Sequence, residues 1–183
     1  MNIYIYGVPG SGKTTLSKLL GESLGRACYE ADTVRAAAQA GKTSDSDPFY
    51  FLPTTEAYKA IGERTPENVI NGLLEVRRAL GDFVEREVSL REDAIIEASF
   101  LDPVRLMSSG RMLLLTIPSE SLHRERFLVH RTEKSFLHGQ FENARIIQEF
   151  LIAEADRLAI DVVENTGDLN DLMERTLKLL FRQ

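Results

Sequence analysis

The chain has 183 residues, 43% of them hydrophobic and 27% charged, which suffices for one globular domain with a sizeable core. Its net charge of −6 disfavours a nucleic-acid partner, because affinity for phosphate backbones comes mainly from basic surface. There is no apolar run of membrane-spanning length, no signal-peptide pattern, and one cysteine, Cys28, which cannot form an internal disulfide. We therefore predict a cytoplasmic protein without a membrane partner.

The first predicted element is a strand over residues 2–6 that leads directly into a phosphate-binding loop. Residues 7–14 are Gly-Val-Pro-Gly-Ser-Gly-Lys-Thr, the P-loop pattern, and a helix is predicted to follow. Glycines let backbone N–H groups approach the α- and β-phosphates, and the helix directs its positive end at them. This pattern predicts binding of ATP. The expected binding residues are Gly7, Pro9, Gly10, Ser11, Gly12, Lys13, Thr14 and Thr15.

Two side chains at the end of this loop have predicted chemical roles. Lys13 reaches the β- and γ-phosphates and is a predicted catalytic residue. The hydroxyl group of Thr14 is placed to hold Mg²⁺. ATP and Mg²⁺ are therefore the predicted cofactors.

A second strand is predicted over residues 27–30, shortly before Asp32. A carboxylate near the phosphates can accept the proton of an attacking hydroxyl group or orient that group, so Asp32 is a predicted catalytic and substrate-binding residue. Arg35, three residues later, is predicted to hold an anionic group of the acceptor. Asp32 can also cap the next helix, and the two roles are compatible.

A long insertion is predicted over residues 36–92, including a helix that begins at Pro66 and extends to about residue 88. Arg77 falls inside the apolar stripe of this helix, where a charge is costly unless it is paired. Either Arg77 extends to the edge of the stripe or it meets an anion in the cleft. The second possibility makes Arg77 a predicted acceptor-binding residue.

Three more strands are predicted over residues 94–98, 112–117 and 160–164, each a continuous apolar run. Such runs are typical of parallel strands covered on both faces, and helical patterns lie between them. The predicted fold is a P-loop NTPase-type parallel α/β sheet flanked by helices, with ligands at the carboxyl ends of its strands. Glu97 lies at the end of the third core strand, where we expect it to contact Mg²⁺ and the substrate.

A region rich in arginine is predicted to form a lid over residues 120–140. Its arginines would close over the triphosphate and spread the charge of the transferring group, although a solvated helix face accounts for at least one of them. These residues are Arg124, Arg126 and Arg131, of which Arg124 is a predicted substrate-binding residue. The three histidines nearby have irregular spacing that disfavours a zinc site: His123, His130 and His138. Helices are predicted over residues 138–159, which include Arg145, and from the N-cap Asp168 onward.

The P-loop, the acidic strand ends, the insertion and the lid together favour a small-molecule kinase. The sequence lacks the guanine-binding and γ-phosphate-sensing motifs of GTPases, and Asn165-Thr166-Gly167-Asp168 matches the first only superficially. We predict a single kinase domain over residues 1–183, with the acceptor-binding insertion at 36–92 and the lid at 120–140.

The chain also resembles the 2-phosphoglycerate kinases, archaeal P-loop enzymes that phosphorylate a phosphoglycerate to the 2,3-bisphosphate. The resemblance lies in short segments along most of the chain: residues 32–35, 54–58, 67–72, 95–97, 123–127 and 141–148. It implies that Arg145 joins Arg131 as a catalytic, phosphate-binding arginine and that residues 54–77 form the acceptor pocket. The chain departs from the family pattern at Phe100, where a histidine is expected, and such a change can alter substrate choice.

The sequence thus predicts an ATP-dependent phosphotransferase whose acceptor is a small phosphorylated molecule, 2-phosphoglycerate first. The nearest alternative is an enzyme like the nucleoside monophosphate kinases. Two further alternatives are an RNA-directed kinase and a module that binds ATP without transferring phosphate. The acidic charge balance disfavours the RNA substrate.

Overall fold

The computed structural model describes residues 1–30, 32–129 and 139–182, and for residues 32–34 and 129 the backbone alone. Its centre is a parallel sheet of five strands in the order β2-β3-β1-β4-β5. The strands are β1 (Asn2–Tyr6), β2 (Cys28–Glu30), β3 (Ile95–Ala98), β4 (Gly110–Thr116) and β5 (Asp161–Glu164). The predicted parallel α/β fold is confirmed.

Helices cover both faces of this sheet. They are α1 (Lys13–Leu24), α2 (Asp32–Ala38), α3 (Pro66–Ser89), α4 (Pro103–Leu106), α5 (Glu120–Val129), α6 (Gln140–Arg157) and α7 (Leu169–Leu180). Two short 3₁₀ segments, Pro48–Tyr50 and Ala57–Ala60, precede α3. The helices of the described ranges include no candidate membrane span.

Strand β1 lies in the middle of the sheet, and its side chains alternate between two apolar cores. Tyr4 and Tyr6 face a core shared with α3 and α6, whereas Ile3 and Ile5 face one shared with α1 and α7. All four side chains are at most 3% exposed. Among the described strands, β1 pairs with both β3 and β4. The loop that follows β1 therefore lies in the middle of the carboxyl edge of the sheet.

Helix α3 is the principal element of the segment predicted as an insertion. The Thr65 side chain caps it by accepting a hydrogen bond from the Asn68 N–H at 3.1 Å, and Pro66 occupies its first turn, as the sequence predicts. Leu73 and Leu80 are fully buried in the core beside β1. The insertion therefore supplies part of the central core as well as part of the rim of the site.

Candidate functional site

The loop between β1 and α1 has a backbone that excludes side chains at two positions. Gly7 and Gly12 have φ angles of 149° and 97°. A Cβ at Gly7 would lie 2.2 Å from the carbonyl oxygen of Leu115, and a Cβ at Gly12 would lie 2.6 Å from Nδ2 of Asn165. Glycine is required at both places, because a methyl group would collide with a fixed neighbour in a backbone region that favours glycine.

Lys13 and Thr14 begin helix α1 at the end of this loop. The Lys13 ammonium group donates a hydrogen bond across the loop to the Val8 carbonyl at 3.0 Å, and the side chain is largely buried. The Thr14 hydroxyl donates to Oε1 of Glu97 at 2.6 Å. The structure therefore brings together the three residues predicted for phosphate and Mg²⁺ binding.

The oxygens of Thr14 and Glu97 fit Mg²⁺, which prefers oxygen ligands and is commonly bound by one or two protein groups together with water and substrate phosphates. Within the described ranges, there is no cluster of three or more His, Cys, Asp or Glu side chains that could hold a metal by itself. His130 and His138 lie outside the described residues.

Two cavities open beside the loop. The first, called the Asn165 cavity, has a volume of about 360 Å³. It is lined by Gly10, Gly12, Lys13, Thr14, Thr15, Arg126, Asn165, Gly167 and Leu169. The second, called the Glu97 cavity, has a volume of about 440 Å³. It is lined by Pro9, Gly10, Lys13, Thr14, Glu30, Arg35, Pro53, Thr54, Glu97, Ala98, Ser99, Arg126 and Phe127. The two cavities meet at Gly10, Lys13, Thr14 and Arg126, which line both.

Arg35 projects from α2 into the Glu97 cavity, as predicted for an acceptor-binding residue. Its Nη2 donates a hydrogen bond to the Leu52 carbonyl at 2.9 Å, and its guanidinium carbon lies 5.2 Å from the centre of the Phe100 ring. These contacts fix the cation at the cavity wall. Asp32 is the first residue of α2, at the carboxyl end of β2, and its predicted catalytic role stays a prediction because the structure describes only its backbone.

The prediction that Arg77 binds the acceptor is wrong. Arg77 does meet an anion, but the anion is the carboxylate of Glu154 on α6, with Nη1 3.0 Å from both of its oxygens. The two side chains are 2% and 6% exposed, and Arg77 is absent from the described lining of the Asn165 and Glu97 cavities. Burial raises the pKa of the nearby Tyr6 hydroxyl, and the charge of Glu154 raises it further. Arg77 therefore belongs to a polar pair inside the core.

Arg124, a predicted substrate-binding residue, is absent from the described lining of both cavities, whereas Arg126, two positions later, is present in both. Arg124 lies 3.2 Å from Glu120 and 4.0 Å from Glu142, with its guanidinium 4.2 Å from the centre of the Phe141 ring. Arg126 lines both cavities beside the loop. Residues two positions apart on a helix point in nearly opposite directions, so only one of them can face the loop.

Arg145 on α6, one of the two predicted catalytic arginines, holds the segment after β4. Its Nη1 donates a hydrogen bond to the Ile117 carbonyl at 2.8 Å, and its Nη2 to the Pro118 carbonyl at 3.4 Å. It is absent from the described lining of both cavities, and its phosphate-binding role stays a prediction. Arg131 lies outside the described residues, so its role stays a prediction as well.

Two residues of the site escaped the sequence reasoning. The ring of His123 on α5 is fully buried, with Nε2 2.9 Å from the Pro9 carbonyl oxygen. Burial lowers the pKa of His123, and the charges of Arg145 and Lys13 lower it further against the opposing bond to Pro9. The Asn165 amide, just after β5, donates to the Ser11 carbonyl at 2.8 Å. The only signals in the sequence were a histidine on the lid helix and a polar residue at the end of a strand.

No protein-family model and no curated protein matches this sequence. Solved structures do match its fold. The shikimate kinase of Acinetobacter baumannii, solved with shikimate, is 18% identical, with a TM-score of 0.56 over 97% of this chain and 91% of its own. The M. mycoides deoxyadenosine kinase, solved with dATP, is 16% identical, with a TM-score of 0.58 over 100% of both chains.

A gluconokinase from Sinorhizobium meliloti is a third such structure, 16% identical with a TM-score of 0.50 over 98% of this chain and 90% of its own. At these identities the likeness shows the fold, which is that of P-loop small-molecule kinases. The comparisons do not support a particular acceptor, and membership in the 2-phosphoglycerate kinase family is not confirmed by them.

Proposed function

We propose that this chain is a cytoplasmic kinase that transfers the γ-phosphoryl group of ATP to a hydroxyl group of a small anionic molecule. The observation that carries this proposal is the pair of cavities that meet at Lys13 and Thr14. Phosphoryl transfer needs a donor and an acceptor in line on opposite sides of one phosphorus atom. Two cavities that share Lys13 and Thr14 would supply both places. A module that only senses ATP would need one cavity.

The Asn165 cavity suits the nucleotide and the Glu97 cavity suits the acceptor. Most of the lining of the first comes from the loop and the start of α1, where N–H groups and the positive end of the helix favour phosphate. The second contains the cations Lys13, Arg35 and Arg126 together with the carboxylates Glu30 and Glu97. This mixture fits an acceptor that has both an anionic group and hydroxyl groups.

Each step of the transfer can be assigned to groups of this chain. The Asp32 carboxylate accepts the proton of the acceptor hydroxyl as its oxygen bonds to the γ-phosphorus and the bond from phosphorus to the ADP oxygen breaks. Lys13 and Arg126 stabilise the charge on the transferring group. Thr14 and Glu97 would hold Mg²⁺, which supplies further charge neutralisation at the phosphates when bound. Arg35 orients the anionic group of the acceptor.

Our first choice of acceptor is 2-phosphoglycerate, from the resemblance of short sequence segments and from the cations of the Glu97 cavity. The second candidate is a nucleoside monophosphate. One observation favours it: the Glu97 cavity is larger than the cavity proposed for the nucleotide. Both acceptors present phosphate and hydroxyl groups, so the cavity chemistry suits each of them.

The test of this proposal is ADP formation with candidate acceptors measured in parallel. The panel contains 2-phosphoglycerate, nucleoside monophosphates, deoxyadenosine, shikimate and gluconate. We expect turnover with a phosphorylated acceptor and at most slow hydrolysis without one. Activity on a nucleotide alone would make the second candidate correct. ATP binding without turnover on any acceptor would favour a sensing module, and salt-sensitive RNA binding would favour an RNA-directed enzyme.

Replacing Glu97 with glutamine tests the proposed Mg²⁺ site. The substitution keeps the shape of the side chain and its contact with Thr14 but removes the charge, so we expect Mg²⁺ affinity to fall by about 10- to 100-fold. The measurement is turnover as a function of Mg²⁺ concentration. The control is Glu174→Gln, because Glu174 pairs only with Lys178 on the exposed face of α7 among the described ion pairs. An unchanged Mg²⁺ dependence in Glu97→Gln would contradict the assignment.

Replacing Arg126 with methionine tests the proposed role of the arginine that lines both cavities. A Cβ at Gly12 would lie 3.6 Å from Nη1 of Arg126, so its guanidinium lies beside the loop. We expect kcat to fall about 100-fold with little change in ATP affinity, since this cation acts on charge that develops during transfer. Arg157→Met, at an exposed position on α6, is the control. A change confined to ATP affinity would instead assign Arg126 to ground-state binding.

A further inference from the structure

The imidazole of His123 connects helix α5 to the phosphate-binding loop by a hydrogen bond. Its Nε2 lies 2.9 Å from the carbonyl oxygen of Pro9. A carbonyl oxygen only accepts hydrogen bonds, so the proton of the imidazole must be on Nε2. The side chain is fully buried, which means that water does not compete for this bond.

Aromatic packing holds the His123 ring in this orientation. The ring centre lies 6.0 Å from that of Phe127 in an edge-on arrangement and 5.0 Å from that of Phe141. Nδ1 is buried and has no hydrogen-bond partner within the described ranges. The charged groups that face the ring are Arg145 and Lys13, both positive, and Glu120. A second proton on Nδ1 would be unpaired beside two cations, so the neutral ring is the stable form.

The direction of the Pro9 carbonyl decides the direction of the next N–H group. The peptide unit between Pro9 and Gly10 is planar, and the structure has no cis peptide bond among the described residues, so its C=O and N–H point in opposite directions. A donor that fixes the carbonyl toward α5 therefore fixes the Gly10 N–H away from α5. Asn165 acts in the same way on the peptide unit between Ser11 and Gly12, through its bond to the Ser11 carbonyl.

We propose that His123 is a positioning residue of the nucleotide site, whose Nε2–H orients the Pro9–Gly10 peptide unit so that the Gly10 N–H is aimed at a bound phosphate. The inference rests on the proposed function, because it assigns a role in phosphate binding to this peptide unit. His123 is absent from the described lining of both cavities, so it acts through the loop and not by touching the ligand.

The same contact places the lid helix. A Cβ at Gly10 would lie 3.2 Å from Cδ2 of His123 and 3.3 Å from the backbone of Phe127, so α5 touches the loop directly. Arg126, the residue before Phe127, lines both cavities. The loop and the arginine proposed to stabilise the transferring phosphate are therefore held in one arrangement by one buried side chain.

Two variants of position 123 and one control elsewhere in the core separate this role from general stability. His123→Phe keeps an aromatic ring but loses the donor. His123→Gln keeps an N–H donor near the place of Nε2. Thr176→Val is the matched control, because it removes another buried bond from a side chain to a carbonyl, the 2.7 Å contact of Thr176 with Leu172 on α7. The affinity for ATP is measured by calorimetry on each folded variant, together with kcat where an acceptor is found.

We expect His123→Phe to weaken ATP binding about 10-fold, since a buried carbonyl is left unpaired and the peptide unit is released. His123→Gln should remain within about threefold of the wild type, and Thr176→Val should bind ATP as the wild type does. Wild-type affinity in His123→Phe would overturn the proposal, as would equal losses in the Phe and Gln variants. If His123→Phe does not fold, His123→Met replaces it as the variant without a donor.

An NMR measurement on the wild-type protein tests which nitrogen of His123 carries the proton, and it does not depend on turnover. Two-bond proton–nitrogen spectra of the three histidines should contain a neutral ring protonated at Nε2, and the His123→Gln variant assigns that signal by its loss. A ring protonated at Nδ1 would overturn the inference. If the wild type binds no ATP, the proposed function fails, and with it the phosphate role of Gly10. The tautomer would then still show whether His123 orients the loop.

Discussion

Lys13→Ala is expected to weaken ATP binding at least about 100-fold and to remove measurable turnover. A charge-assisted hydrogen bond to phosphate contributes about 1.5–3 kcal/mol, and the ammonium group also stabilises charge during transfer. Lys13 has a second role in the loop, because its Nζ holds the Val8 carbonyl at 3.0 Å. The alanine variant therefore loses a ligand for phosphate and a bond across the loop together. Calorimetric titration with ATP measures the loss of affinity, and ADP release measures the loss of turnover.

The matched control for this experiment is Lys178→Ala. Lys178 lies on α7 with an exposed side chain and pairs with Glu174 one turn earlier. Surface pairs of this kind contribute about 0–1 kcal/mol to stability, and this one lies away from the loop. We expect the ATP affinity of the control to stay within about twofold of the wild type. ATP affinity retained in Lys13→Ala would remove the assignment of residues 7–14 as a nucleotide site.

Arg77→Met is expected to lower the free energy of unfolding by about 3–5 kcal/mol, because it leaves the Glu154 carboxylate buried without its partner. The double variant Arg77→Met/Glu154→Leu should recover most of this loss, since two apolar side chains of similar volume avoid the cost of desolvating a charge. Urea denaturation measures the free energy of unfolding of each variant.

The neighbouring residue supplies the control for the buried pair. Arg78 is also on α3, but its side chain is 75% exposed and contacts Glu75 on the same helix. Arg78→Met should change the free energy of unfolding by no more than about 0.5 kcal/mol. Equal effects of Arg77→Met and Arg78→Met would show that the Arg77–Glu154 pair does not stabilise the fold. A double variant less stable than Arg77→Met would contradict the desolvation argument.

Local patterns in the sequence were enough to predict the loop and the strands. A P-loop needs a strand, glycines and a helix start within a dozen residues, and the observed β1 and α1 supply them. The contact between Thr14 and Glu97 could be expected as well, since parallel strands end at the same edge of the sheet. A site formed by a loop and by the ends of strands can therefore be predicted from the sequence.

Contacts between distant helices were not predictable in this way. The amphipathic pattern showed that Arg77 needs a partner, but the partner is 77 residues away on α6. The bonds from His123 to Pro9 and from Asn165 to Ser11 join residues 114 and 154 apart. No periodicity within one element indicates which residue of another element it will meet.

The choice between Arg124 and Arg126 could not be made from the sequence for a related reason. Arg124 and Arg126 have the same chemistry, and only the rotation of α5 about its axis decides which one faces the loop. That rotation depends on the packing of His123 and Phe127 against Phe141, which the sequence does not reveal. Predicting that arginines of this region reach the site was possible, whereas predicting which of them do so required the packing.

The order of the strands also governs when the site can exist during synthesis. Strand β1 hydrogen-bonds only to β3 and β4, among the described strands, and β4 ends at Thr116. A ribosome needs roughly 5 to 20 seconds to add the about ninety residues between β1 and β3, and until β3 has been made β1 has no neighbour to pair with. Over this interval the apolar side chains of β1 lack the strands and helices that bury them in the folded protein. A nucleotide at the proposed site would stabilise the molecule only after the last strand and Asn165 have been made, because Asn165 holds the loop through its bond to Ser11.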